Sequence, residues 1–142
     1  MALNVLVVDD SAVMRKMIVR TLRLSGLPLG EVYEAGNGQE GLEVLGAHWV
    51  DLALVDINMP VMNGEEMIDR IRQNPETADL SVIVVSTDSS ETRVEMLQKK
   101  GAGFVHKPFT PEGLRESISH LTGVTHAEQA GAGTLPGGGP DF

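Results

Sequence analysis

Short apolar runs alternate along this chain with stretches whose apolar residues recur every three or four positions. The runs Val5–Val8, Val32–Glu34, Leu52–Val55, Val82–Val85 and Phe104–Val105 predict strands. The first, third and fourth are nearly continuous and valine-rich, the pattern of strands covered on both faces. Between them lie helical stripes. Ser11 is placed to cap a helix whose apolar positions are Val13, Met14, Met17, Ile18, Thr21 and Leu22, and which stops near Ser25-Gly26. Gly38 to Leu45, Gly64 to Arg72 and Ser90 to Lys100 follow, the last ending at Gly101. Thr110-Pro111 is a cap with proline at the first helical position, and Leu114, Ile118 and Leu121 face inward from that final helix.

Strict alternation of strands and helices predicts an α/β fold, an open parallel sheet with right-handed crossovers and helices on both faces. Ligands in such folds bind at the carboxyl ends of the strands.

From Thr122 onward the periodicity is lost. Residues 1–122 read as one domain and residues 123–142, rich in Gly, Ala and Pro, as a flexible tail; a linker or docking tail has the same composition. The 142 residues hold one core and little else. With no cysteine, disulfides and thiol chemistry are excluded, and the histidines His48, His106, His120 and His126 have no zinc-like spacing. No signal-peptide pattern opens the chain and no apolar run approaches the roughly 20 residues of a membrane helix, so a cytoplasmic protein without membrane insertion is expected. A net charge of −9 opposes nucleic-acid binding.

The strand ends carry the chemistry. Val5–Val8 delivers Asp9 and Asp10; Leu52–Val55 delivers Asp56, with Asn58 two residues on; Val82–Val85 ends in Ser86-Thr87; and Phe104-Val105-His106 ends in Lys107-Pro108-Phe109. Acids gathered at one sheet end repel, so the cluster calls for a hard, oxygen-liganded cation such as Mg2+. A carboxylate can act as nucleophile toward phosphorus, and a metal ion, an ammonium and a hydroxyl would stabilise the charge spread over the transferred group. Asp56, the Asp9/Asp10 pair, Lys107 and Ser86 supply those parts.

Together, Val7-Val8-Asp9-Asp10-Ser11, Val55-Asp56-Ile57-Asn58-Met59-Pro60 with Asn63-Gly64, Val84-Val85-Ser86 and Lys107-Pro108-Phe109 resemble the response-regulator receiver domains of two-component systems, in their single-domain CheY-like form. The resemblance runs from Asn4 to about Leu121. It implies a flavodoxin-like sheet of order 2-1-3-4-5. It implies Asp56 as phosphoacceptor, Mg2+ on Asp10, Asp56 and the Asn58 carbonyl with Asp9 acting through water, and Ser86 and Lys107 on the phosphoryl group. Phe104 occupies the aromatic switch position, where tyrosine is frequent. The implied partners are a sensor histidine kinase or histidine phosphotransfer protein, and a downstream protein bound on the face of the fourth helix, fifth strand and fifth helix. A monomer is expected, with a phosphorylation-dependent dimer left open. A phosphorelay intermediate or phosphate sink would use the same residues.

Other positions carry plainer expectations. Met14, Met17 and Met67 should be core, Trp49 should pack on the second helix, Thr87 should cap the fourth helix, and His106 should face outward. Asp88 should tune the lifetime of the phosphorylated state or start a helix. A phosphatase of the same chemistry wants an acid where Asn58 stands, and a flavin-binding relative would not place Asp9-Asp10 against a phosphate.

Overall fold

The computed structural model describes residues 2–57, 59, 61–87 and 90–123. Of the tail expected at residues 123–142, all but Gly123 lies outside these residues, as do Asn58 and Asp88. The elements run β1 (Leu3–Val8), α1 (Ala12–Leu24), β2 (Leu29–Ala35), α2 (Gly38–Ala47), β3 (Leu52–Val55), α3 (Gly64–Gln73), β4 (Ser81–Ser86), α4 (Glu91–Lys99), β5 (Ala102–His106) and α5 (Pro111–Thr122). The sheet is parallel throughout in the order β2-β1-β3-β4-β5, as expected.

Side-chain alternation along the central strands divides the interior into two cores. Val5, Val7, Leu52, Leu54, Ile83 and Val85 meet Ile18 and Leu22 of α1 and Leu114 and Ile118 of α5. Leu6, Val8, Ala53, Val55, Val82 and Val84 meet α3 through Met67, Ile68 and Ile71, and α4 through Leu97. A one-residue slip of any central strand would exchange the two sets, which fixes the register that carries the strand-end residues.

The edge strands differ from expectation. β2 begins at Leu29 rather than Val32, and is half-exposed. Its pairing with β1 shifts between Leu3 and Val5, where Asn4 Oδ1 accepts from Glu31 N at 2.9 Å. Pro28 and Gly30 break the apolar pattern, and a side chain completes the ladder in its place. β5 likewise begins two residues before Phe104, at Ala102.

The helix starts are chemically specific. Ser11 caps α1, accepting from Met14 N at 3.2 Å; Thr110 caps α5 ahead of Pro111, accepting from Gly113 N at 3.0 Å. Asn63 and Glu66 form a reciprocal capping box on α3. α4 starts at Ser90 without a side-chain cap, so Thr87 does not cap it; Thr87 is exposed, three residues before that start. Its only buried residue is Leu97, and its far end is tied down by Arg72. The Arg72 guanidinium donates to Lys100 O (2.8 Å), Ala78 O (3.0 Å), Leu80 O (2.7 Å) and Gly101 O (3.2 Å). Burial holds its pKa below its ordinary value, opposed by the nearby Asp79 carboxylate.

Two apolar expectations fail. Met17 is 55% exposed and Val13 70%, because α1 buries a narrower arc, centred on Ile18 and Leu22, than its sequence stripe suggests. Trp49 lies in solvent, its indole donating to Asp51 Oδ1 at 3.0 Å instead of packing on α2. Met67 is fully buried and His106 exposed, as expected.

Candidate functional site

The strand ladders continue past the strand ends, and these extra hydrogen bonds place the chemistry. Asp9 N donates to Ala35 O (3.1 Å), Asp56 N to Val8 O (2.9 Å) and Lys107 N to Ser86 O (2.9 Å). Each side chain of interest is thus fixed by a neighbouring strand rather than by a free loop.

Asp9, Asp10 and Asp56 come together, each offering a carboxylate oxygen, with all three oxygens within 4.8 Å of one another. Asp9 is buried, Asp56 half-buried and Asp10 exposed. Asp9 Oδ1 accepts from Ser11 N at 2.9 Å, so the start of α1 orients that carboxylate. Its Oδ2 is buried and accepts no hydrogen bond. Lys107 supplies the counter-charge: Nζ is 3.5 Å from Asp9 Oδ2 and 3.9 Å from Asp56 Oδ1. Ser86 is buried at the end of β4, paired in register with His106. Phe104 is paired with Val84 and packs against the α3–α4 core. The structure therefore gathers Asp9, Asp10, Asp56 and Lys107 tightly, with Ser86 at the adjoining strand end.

A buried carboxylate oxygen without a donor is costly in a low-dielectric setting. Three converging carboxylates with one ammonium leave an excess of negative charge that a divalent cation would neutralise. All the donors are hard oxygens, which fit Mg2+ and not a thiophilic metal. The Asn58 carbonyl, expected to complete the set, lies outside the described residues.

The loop after Asp56 is held by its neighbours. Gly64 N donates to Ile57 O at 3.0 Å, and Gly38 N to Met62 O at 3.2 Å. A Cβ on Gly64 would collide with the Asp56 carbonyl and approach Ile57 Cα to 2.9 Å, so only glycine fits. Val61, 81% exposed, adopts φ 67°, a strained region for a β-branched residue. The Lys107-Pro108 peptide is cis.

Arg15 is a site neighbour that the sequence reading missed. Its Nη1 donates to Asp9 O at 2.5 Å and its Nε to Glu34 Oε1 at 3.0 Å, bracing the acidic turn against β2. The only sequence signal was a basic residue one turn after Ser11 on a helix beside acids.

A family model described as the response regulator receiver domain matches residues 5–119. The chain belongs to that family. Among similar proteins is a chemotaxis protein CheY homolog of Campylobacter jejuni, 35% identical over 130 residues that cover 90% of this chain and 98% of the relative. Chemotaxis protein CheY1 of Helicobacter pylori is 35% identical over 124 residues, covering 86% of this chain and 98% of that protein. The structure of the chemotaxis response regulator CheY4 of Vibrio cholerae superposes with a TM-score of 0.76 at 30% identity, covering 85% of this chain and 99% of that one. The receiver is thus CheY-like, and receivers of this kind are signalling proteins of two-component systems rather than conventional enzymes. They bind Mg2+ in an acidic pocket and meet sensor histidine kinases and downstream targets. No helix among the described residues is long and apolar enough to cross a membrane.

Proposed function

We propose that this receiver is a phosphorylation-dependent switch whose acceptor is Asp56. The observation that carries the reading is the convergence of three carboxylates, two of them paired with the Lys107 ammonium, with a buried Asp9 oxygen that accepts no hydrogen bond. A carboxylate oxygen of Asp56 attacks the phosphorus of a phosphohistidine on a sensor kinase or phosphotransfer protein, or of an acyl phosphate. The new O–P bond forms as the P–N or P–O bond breaks, releasing imidazole or carboxylate. Mg2+ would be held by Asp10, Asp56 and the Asn58 carbonyl, with Asp9 acting through water, and would supply charge neutralisation. Lys107 binds the transferred group, and the Ser86 hydroxyl donates to it once it is attached. The movement of Ser86 is followed by Phe104 and repopulates the face formed by α4, β5 and α5, where a downstream protein docks. The chemotaxis proteins among its relatives support a chemotaxis-like role in the cytoplasm, as a monomer with a tail from residue 123. A phosphorelay intermediate or phosphate sink shares the site and differs only in lacking a target on that face.

The test is intact-mass analysis after incubation with acetyl phosphate, with and without Mg2+, on the wild type and Asp56→Asn, beside a phosphate-release assay and a phosphotransfer assay from a phosphorylated kinase. A Mg2+-dependent gain of one phosphoryl group or steady phosphate release, absent in the variant, supports the reading. No adduct, release or transfer from either donor overturns it.

A further inference from the structure

The end of the sheet opposite the acids carries a second organised feature. Trp49, the only tryptophan of the chain, is 74% exposed in the connection between α2 and β3. It is nevertheless held in place. Its Nε1 donates to Asp51 Oδ1 at 3.0 Å, Asn4 N donates to Asp51 Oδ2 at 2.9 Å, and Asn4 Nδ2 donates to the Trp49 carbonyl at 3.2 Å. Asp51 N returns a bond to Asn4 O at 2.8 Å, closing a network that ties the indole to the first strand. A rigid aromatic group already in its binding position loses little entropy when a partner arrives.

Beside the indole runs an open groove of about 410 Å3, with Leu45, Val50 and Leu80 as its apolar lining. Its charged groups are Asp51, Glu76 and Asp79, and no lysine or arginine lines it. Arg72 offsets part of the Asp79 charge, while its hydrogen bonds go to four backbone carbonyls of its own chain, and Glu76 makes no ion pair among the described residues. An aromatic face beside Glu76 and a partly offset Asp79 is complementary to a guanidinium, which stacks on indole and pairs with carboxylate in one geometry.

We propose that this groove docks a basic segment of a protein partner, with an arginine lying on the face of Trp49 and its guanidinium toward Glu76 and Asp79. The groove opens before β3 and Asp56 follows it, so the four-residue strand separates them by about 13 Å. A partner here leaves the acid pocket and the α4-β5-α5 face free. The contact is therefore a constitutive tether, independent of phosphorylation.

The single tryptophan makes the site readable. Tetra-arginine amide is titrated into the full chain at saturating Mg2+, following Trp49 fluorescence and backbone amide NMR. The expected result is a saturable fluorescence change with amide shifts clustered at Leu45, Val50 and Leu80. By NMR, Trp49→Leu weakens binding about tenfold. Glu76→Gln with Asp79→Asn weakens it about threefold. Circular dichroism melts check that each variant is folded. Shifts scattered over the acidic surface or centred on Asp10 and Asp56, no shift, or unchanged affinity in Trp49→Leu overturns the proposal. Concentration-dependent self-association that Trp49→Leu abolishes assigns the groove to a second copy of the chain and overturns it equally.

Discussion

Lys107 Nζ lies 3.5 Å from Oδ2 of Asp9, the one buried side-chain oxygen among the described residues that accepts no hydrogen bond. The ammonium is what makes a buried carboxylate tolerable there. Lys107→Met removes it and leaves a charge 2% exposed without a counter-ion. Without Mg2+ the variant should lose about 2 kcal/mol of stability, much of which saturating Mg2+ restores. Urea unfolding with and without the ion measures both; equal stability of variant and wild type would mean that Lys107 does not support Asp9.

The same repulsion predicts how metal acts on the wild type. A cation that binds the folded acid cluster and not the unfolded chain raises stability, by about 2.7 kcal/mol at a hundredfold excess over its dissociation constant. Asp10→Asn should be more stable than wild type in chelator and should respond far less to Mg2+, since it removes both a repelling charge and a ligand. Thermal melts across a Mg2+ titration decide this. A variant that responds like wild type would place the ion elsewhere.

Much of this arrangement was legible in the sequence because it depends on the central strands. β1, β3 and β4 are buried on both faces, so their apolar runs mark both the strand and the residue that emerges from it. Asp9, Asp56 and Ser86 follow from that alone. What escaped was decided between distant segments. The start of β2 rests on Asn4, the Trp49 position on a bond to Asp51, and the exposure of Met17 on how much of α1 faces the sheet. Arg72 read as an ordinary end-of-helix arginine, and nothing local shows that its partners lie in two other connections. The Asn63–Glu66 capping box was readable by its spacing and was overlooked.

Arg72 should prove a stability centre. Its one guanidinium satisfies carbonyls just before β4 and at the end of α4. Arg72→Lys cannot reach several acceptors at once and should cost about 2 kcal/mol. Hydrogen exchange should accelerate first at Leu97 and Lys100. A loss of stability without faster exchange there would show that the guanidinium does not anchor α4.

Gly64→Ala tests how tightly the loop after Asp56 is fixed. The added methyl meets backbone atoms of Asp56 and Ile57, which cannot rotate away as a side chain would. The substitution should cost about 2 kcal/mol or more. It should also slow acetyl phosphate labelling beyond what partial unfolding explains, because Asp56 itself is displaced. Labelling at the wild-type rate per folded molecule would show that the loop can shift without moving the carboxylate.

The chain order of these parts bears on synthesis. Asp9, Asp10 and Asp56 emerge from the ribosome well before Lys107, which follows the last strand of the chain. Until β5 pairs with β4, the acids have no ammonium among them, and the hydrogen bond from Lys107 N to Ser86 O that seats the lysine is unmade. A chain truncated before β5 therefore leaves the acid cluster without its counter-charge and, on the proposed reading, without the group that would bind the phosphoryl.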